Sequence, residues 1–328
     1  KLDHLNDEDK IDQLLFSKII NFHIKIEIYQ SCAYLVDSLI NAYPKLTDMK
    51  FMIDWLLEEQ DEEQDEDALN TDEQLILIDI MVCSFVQIQS DAPVGRNPTK
   101  FSSKLQNDVS KVMVKALPKL LAKFKNEADK IEKLVCIPQY CKVNLILDQA
   151  NLERILKIIN QIIEIHSDKE LLKEAAKSYA HLLNSNELRF NVIIKKYQDN
   201  LLTSLKCQYN EAIKNLDLEN EIVLNLIKKI SIFYLALDLS SLEICDDAFR
   251  WIKNCKFENS YELLKSAIKI CHMYFIWTLD RFETSDEVSD EELIDGQLKL
   301  TNFVKEMENL LRFGSDPIKK KVAAISLI

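Results

Sequence analysis

Glycine is nearly missing from this 328-residue chain: there are three, alongside six prolines. Tight turns between strands need residues that reach positive φ, mostly Gly or Asn. Three glycines cannot serve the turns of a sheet protein of this length, so a sheet-based fold is excluded. A glycine-rich phosphate loop is excluded too, because Gly95, Gly296 and Gly314 are isolated. No apolar run approaches the roughly 20 residues that a membrane span needs, and no signal peptide is visible. Net positive charge is also lacking: the balance is -13. An acidic surface repels nucleic acid and anionic lipid except where basic residues cluster.

Signs of chemistry are equally thin. Five histidines (His4, His23, His166, His181, His272) are scattered, and eight cysteines follow no paired pattern. Cys136 and Cys141 are five apart with no second pair nearby, which is not a zinc-ligand spacing. Cys32, Cys83, Cys207 and Cys271 lie inside apolar runs, where a free thiol acts as a small hydrophobe. That usage fits a reducing compartment, cytosol or nucleus. No Gly-x-Ser-x-Gly elbow and no cysteine-protease signature occur. Paired carboxylates are everywhere in an acidic helical chain and carry no weight. The sequence reads as a non-enzyme without cofactor or metal.

What the chain has is hydrophobic periodicity. Hydrophobic residues make up 47% of it, and they recur at helical spacing nearly throughout. Leu75, Ile78, Val82, Phe85 and Val86 form one stripe; Leu152, Ile155, Leu156, Ile159, Ile162 and Ile163 form another. Helix starts with early acids appear at Asn70-Thr71-Asp72-Glu73, Ser167-Asp168-Lys169-Glu170 and Ser285-Asp286-Glu287. The spacing predicts helices at 10–27, 29–43, 46–58, 72–90, 103–125, 127–135, 149–166, 168–184, 186–215, 218–236, 240–255, 258–283, 288–312 and 316–328. So many helices joined by short connections cannot surround one core. They predict an all-α, HEAT-type solenoid of stacked antiparallel helix pairs, one continuous array over 1–328. The breaks are an acidic stretch at 58–67, a proline-containing loop at 91–98, and Cys136 to Tyr140, with Val143 to Leu147 open to a short extended piece. The chain starts without Met and stops inside an apolar run, which reads as a fragment of something longer.

Two basic features stand out. Lys111, Lys115, Lys119 and Lys123 recur every four residues, along one side of a helix that Pro118 could kink. They are either a phosphate-tracking ridge facing DNA or a solvated face. Lys319-Lys320-Lys321 poses the same choice. The acidic run at 58–67 reads as a solvated loop or as a site for a basic partner.

Several strings resemble the stromalin (SA or STAG) family, the HEAT-repeat subunit of cohesin. Ala33 to Leu39 looks like that family's AYLVDS helix, and Trp55-Leu56-Leu57-Glu58-Glu59 like its LLLEE stretch. Ile78 to Cys83 with Pro93-Val94-Gly95-Arg96 is similar to the segment ending PPVGRG. Ala116 to Phe124, Ala128-Asp129-Lys130 and Ile137-Pro138-Gln139-Tyr140 resemble ALPQLLAKY, AEK and LPQYF. Ala236 to Ser240 resembles AHDLS, and His272 to Trp277 resembles HYVILW. Order and spacing agree from about residue 33 to 325. The departures are Leu242 in place of the family's Trp, Tyr234 and Leu237 in place of flanking histidines, and a shortened loop at Asn97 to Lys100.

The resemblance implies a nuclear, chromosome-bound scaffold that holds a kleisin or kleisin-like segment along its helices. The departures point to a specialised member, for example one used in meiosis. The competing readings are a HEAT adaptor for transport or trafficking and a direct DNA binder. Candidate partner-binding residues are Asp238, Arg250, Trp251 and Lys319 to Lys321, with Arg250-Trp251 the best aromatic–Arg pair. Trp251 is equally open to a place in the core, whereas Trp277 is expected to be mostly buried on the long helix 258–283.

Overall fold

The structure, a computed structural model, describes residues 7–26, 32–58, 69–90, 100–141, 148–184, 188–214, 221–254, 261–284, 289–313 and 319. Among the described residues every regular element is helical. The acidic run beyond Glu58, the loop at 91–98, the piece at 143–147, Ser285 to Glu287 and Cys255 lie outside the described residues, as does the helix expected at 316–328 apart from residue 319. The chain divides into two units, Lys1–Lys195 and Lys196–Ile328.

The first unit holds α1 (Asp7–Ile26), α2 (Ala33–Leu39), α3 (Met49–Leu57), α4 (Thr71–Gln89), α5 (Ser103–Phe124), α6 (Ala128–Val135), α7 (Gln149–Ile165) and α8 (Lys169–Leu183). Local sequence sets the starts. Asn70 caps α4 in a reciprocal box with Glu73, while Asp48, Ser102, Asp148 and Asp168 cap α3, α5, α7 and α8. Helices α3, α5 and α7 pack side by side in succession, and so do α4, α6 and α8. The members of each pair, α3–α4, α5–α6 and α7–α8, also touch. This is the two-layered stacking of helix pairs expected of the fold class.

Burial follows the stripes. Leu152, Ile155, Leu156, Ile159, Ile162 and Ile163 of α7 are all inside, each contributing about 1.5–3 kcal/mol relative to an exposed position. Helix α4 is apolar nearly all round, and Leu77, Ile78, Ile80, Met81 and Phe85 are fully enclosed. An aromatic group fastens α1: Phe16 is completely buried, with its ring centre 5.5 Å from Tyr43, 5.4 Å from Phe51 and 6.5 Å from Trp55.

Pro118 sits inside α5 without ending it. A proline cannot donate to the carbonyl four residues back, so Val114 is left with an open acceptor. Asn151 of α7 fills it: its side-chain amide donates to the Val114 carbonyl at 2.7 Å. The layers are pinned elsewhere by the same kind of bond. Gln89 donates to the Gln106 carbonyl and Gln106 to the Ile88 carbonyl, and the buried Ser178 hydroxyl donates to Val135.

Helix α9 (Leu188–Lys214) runs across the boundary between the units. The second unit adds α10 (Glu221–Phe233), α11 (Cys245–Asn254), α12 (Tyr261–Thr284) and α13 (Asp290–Phe313). Helix α12 packs on α10, α11 and α13. Gly296 lets α13 close on α12, since a Cβ there would lie 3.3 Å from the Phe282 ring.

Several expectations need correction. The helix expected at 29–43 is only Ala33–Leu39, followed by a 3-10 turn at Pro44–Thr47, because Pro44 cannot extend it. The one expected at 240–255 begins as a 3-10 turn, Ser240–Leu242, ended by Glu243 in the left-handed region (φ 56) before α11 starts. Cys207 is exposed, not packed. It lies on the opposite side of α9 from the buried Leu201, Leu205 and Tyr209. Trp277, by contrast, is on the long helix and mostly covered, as expected: its indole N–H donates to the Tyr234 carbonyl at 2.9 Å.

Candidate functional site

The structure gives each sequence-derived candidate a setting. Asp238 shapes the chain between α10 and α11: one carboxylate oxygen accepts from the Ser240 amide (2.9 Å) and hydroxyl (2.6 Å). The other faces the Arg281 guanidinium at 3.7 Å. Beside it Tyr234 is enclosed, and burial pushes its phenol well above the ordinary range. Asp238 is therefore a turn-former with an Arg partner on α12, and its remaining exposure is modest.

On α11, Ala248 and Ile252 face inward, which leaves Arg250 outward with a side chain 70% exposed and Trp251 half-buried. The Arg250 guanidinium pairs with Asp247, which also accepts the Tyr209 hydroxyl from α9. Burial, then the bond to Asp247, raises the Tyr209 phenol far above its usual value, so it stays a neutral donor. This Tyr209–Asp247–Arg250 chain orients Arg250; its Asp247–Arg250 half has the i,i+3 spacing of a helix pair, whereas no sequence spacing could have announced Tyr209. Asp238 is not joined to Arg250 or Trp251 by a direct bond among the described residues. Lys319 is half-buried, and Lys320 and Lys321 lie outside the described residues.

The α5 lysines separate into two kinds. Lys123 donates to the Leu56 carbonyl at 2.7 Å and the Glu58 carbonyl at 3.2 Å, closing the C-terminal end of α3. Lys111, Lys115 and Lys119 stand exposed along one stripe and form no ion pair among the described residues. The neighbouring α7 adds Arg154 and Lys157, likewise exposed and without an ion pair. The other layer behaves differently: on α6 and α8, Lys130, Lys133, Lys169, Lys173 and Lys177 all face carboxylates within 4.0 Å. Two unpaired cations on α7 were missed in the sequence because one turn of spacing is too little to stand out.

No group of three or more His, Cys, Asp or Glu among the described residues is placed to hold a metal ion. The Cys136 and Cys141 thiols are pushed up to about 12, chiefly by burial, so both are neutral packing groups.

Comparison with known proteins gives these surfaces a context. The family model for the HEAT-repeat domain of cohesin subunit SCC3/SA matches residues 34–277. Cohesin subunit SA-1 of Xenopus laevis is 25% identical over 331 residues, covering 94% of this chain and 26% of the frog protein. Cohesin subunit scc-3 of Caenorhabditis elegans is 30% identical over 182 residues, 51% of this chain and 16% of the worm protein. Cohesin subunit SA-3 of Rattus norvegicus is 26% identical over 316 residues, 89% of this chain and 24% of the rat protein. The chain thus spans about a quarter or less of the length of these relatives.

Proposed function

Because the chain belongs to the SCC3/SA family of cohesin subunits, the stromalins, we propose that it is a non-catalytic scaffold of chromosome cohesion, nuclear and chromosome-bound, that holds a kleisin or kleisin-like segment. Residues 1–328 act in this reading as one continuous HEAT-type array, used in sister-chromatid cohesion or in meiotic chromosome association. The observation that carries it is α11, which lies inside the family match and presents the oriented Arg250 beside a half-buried Trp251. An exposed Arg next to an incompletely covered Trp is the composition of an interface anchor.

The test is calorimetric titration of a kleisin-like segment into wild type and into an Arg250→Glu, Trp251→Ala double variant, with folding followed by circular dichroism. The Arg250 end of its pair with Asp247 is exposed, and Asp247 keeps the Tyr209 hydroxyl as a partner, so losing the pair costs stability about 1 kcal/mol. Affinity is expected to fall at least about tenfold, the effect of one lost anchor. Unchanged affinity in a folded variant removes the pair from the interface, and no binding by wild type removes the reading.

The unpaired cations of α5 and α7 favour a weak DNA contact as well. Lys111, Lys115 and Lys119 are expected to touch phosphates, with Arg154 and Lys157 continuing the stripe. Replacing the three lysines by Glu should lower the slope of log affinity against log salt for a short duplex by about 2–3, at about 0.9 per contact. Lys123→Ala should leave that slope alone and instead loosen α3, since its ammonium is occupied by backbone carbonyls. Equal slopes for wild type and triple variant would make the stripe a solvated face.

A further inference from the structure

A serine hydroxyl stands in a strongly acidic setting where α13 begins. Between residues 280 and 295 the chain has eight carboxylates and one cation, Arg281. Burying such a run would require a partner for each charge, so it stays in water. Four serines and threonines of the chain have an acid three residues on: Ser167, Ser240, Thr284 and Ser289. Lys169 interrupts the acids after Ser167. The Ser240 hydroxyl donates to Asp238, and the Thr284 hydroxyl donates to the Asp280 carbonyl inside α12. Ser289 alone is followed by three acids in a row, Asp290, Glu291 and Glu292.

The structure adds access and a counter-charge. Every residue from 289 to 295 is exposed, and the first buried residue of α13 is Gly296. The start of α13 can therefore open into an enzyme's groove without uncovering core. Ser289 caps the helix. Its hydroxyl and its amide donate to the Glu292 carboxylate at 3.0 and 3.1 Å, and its oxygen accepts the Glu292 amide at 3.3 Å. The amide first, and then the hydroxyl, hold the Glu292 carboxyl below its usual range, and the Arg281 charge on α12 acts in the same direction. Gly296 rests on the Phe282 ring, so Arg281 and Glu292 lie on facing stretches of the two helices. The Arg281 guanidinium otherwise faces Asp238 at 3.7 Å.

We propose that Ser289 is a phosphorylation site for an acidophilic serine/threonine kinase, and that its phosphate takes Arg281 from Asp238. The Ser289 hydroxyl oxygen attacks the γ-phosphorus of ATP. The bond from that phosphorus to the β–γ bridging oxygen breaks, ADP leaves, and the hydroxyl proton passes to the kinase's base. A basic groove on the kinase reads the three carboxylates. The product fits its place: a phosphate of charge about -1.5 to -2 sits at the positive end of the α13 dipole. It displaces the Glu292 carboxylate by repulsion and offers Arg281 a stronger acceptor than Asp238. A phosphate on Thr284 would instead meet the negative end of α12. This regulation does not rest on what α11 holds.

The full chain is incubated with MgATP and a kinase that requires an acid three residues after its target, and the phosphopeptides are mapped by mass spectrometry. Phosphate is expected on Ser289 ahead of Thr284. Glu292→Gln should slow its addition at least tenfold; glutamine still completes the capping box, and circular dichroism checks the fold. Phosphorus NMR then follows the phosphate of the modified protein against pH. Its second ionisation should lie below that of a free phosphopeptide spanning 284–296, and Arg281→Gln should move it back up. Phosphate on Thr284 in place of Ser289, no phosphate on either, or a rate indifferent to Glu292→Gln overturns the site. A phosphate that titrates as in the free peptide, with or without Arg281, overturns the transfer of Arg281.

Discussion

Phe16→Ala is expected to destabilise the first unit by about 3–5 kcal/mol, the range for removing a fully buried aromatic side chain. The residue has no exposure, and Tyr43, Phe51 and Trp55 surround its ring. Stacked helices depend chiefly on their neighbours, so the loss should appear first at α1. Limited proteolysis should cut within 7–26 while the remainder of the unit stays protected, and chemical denaturation should show the lower stability. Phe16→Leu, which keeps most of the volume, should recover more than half of it. A variant that melts like wild type with α1 still protected would mean that the aromatic group is not what fastens this helix.

Asp79→Ala should cost about 3 kcal/mol, for a different reason. Asp79 is buried on α4, and its carboxylate accepts the Cys32 amide at 2.7 Å, ahead of α2, which has no side-chain cap of its own. It also faces Lys133 of α6 at 3.8 Å. Removing it leaves a buried amide without an acceptor and an ammonium without its counter-charge. Lys133 is about one-third exposed and can recover water, which keeps the loss toward the lower end for broken buried pairs. Asp79→Asn retains an oxygen acceptor and should lose about half as much. A urea midpoint shift in Asp79→Ala worth less than about 1 kcal/mol would show the carboxylate to be dispensable.

How much of this was readable beforehand depends on the range over which each signal acts. The stripes of α4 and α7 are local and repeat every turn, so helices expected at 72–90 and 149–166 appear as Thr71–Gln89 and Gln149–Ile165. Caps such as Asn70–Glu73 and Asp168 are local too. Ser289 shows the same logic: it forms a box with Glu292 at the start of α13, one motif along from the Ser285 start that the sequence suggested. Periodicity reports which residues share a face but not whether anything covers that face. Ile11, Leu14, Leu15 and Phe22 are apolar residues of the expected helix 10–27 and are exposed, and Cys207, expected in an apolar run, is exposed too. Asp247 is likewise just one acid among many until folding brings Tyr209 to it from α9. Glu243 occupies the left-handed region without being glycine or asparagine, so nothing in its identity marked the break before α11.

Pro118 has a consequence for how such an array can change. A helix with a missing internal bond suits only a neighbour that offers a donor at the right height, and Asn151 is that donor. The two helices are therefore a lock and its own key, not interchangeable bricks. Duplicating α5 would create a second bare carbonyl, and excising α7 would strand the first, each at about 1–3 kcal/mol for an unmet buried acceptor. Arrays of near-identical repeats can gain or lose modules by slippage; one whose joints are individually fitted is held to a fixed roster and a fixed order.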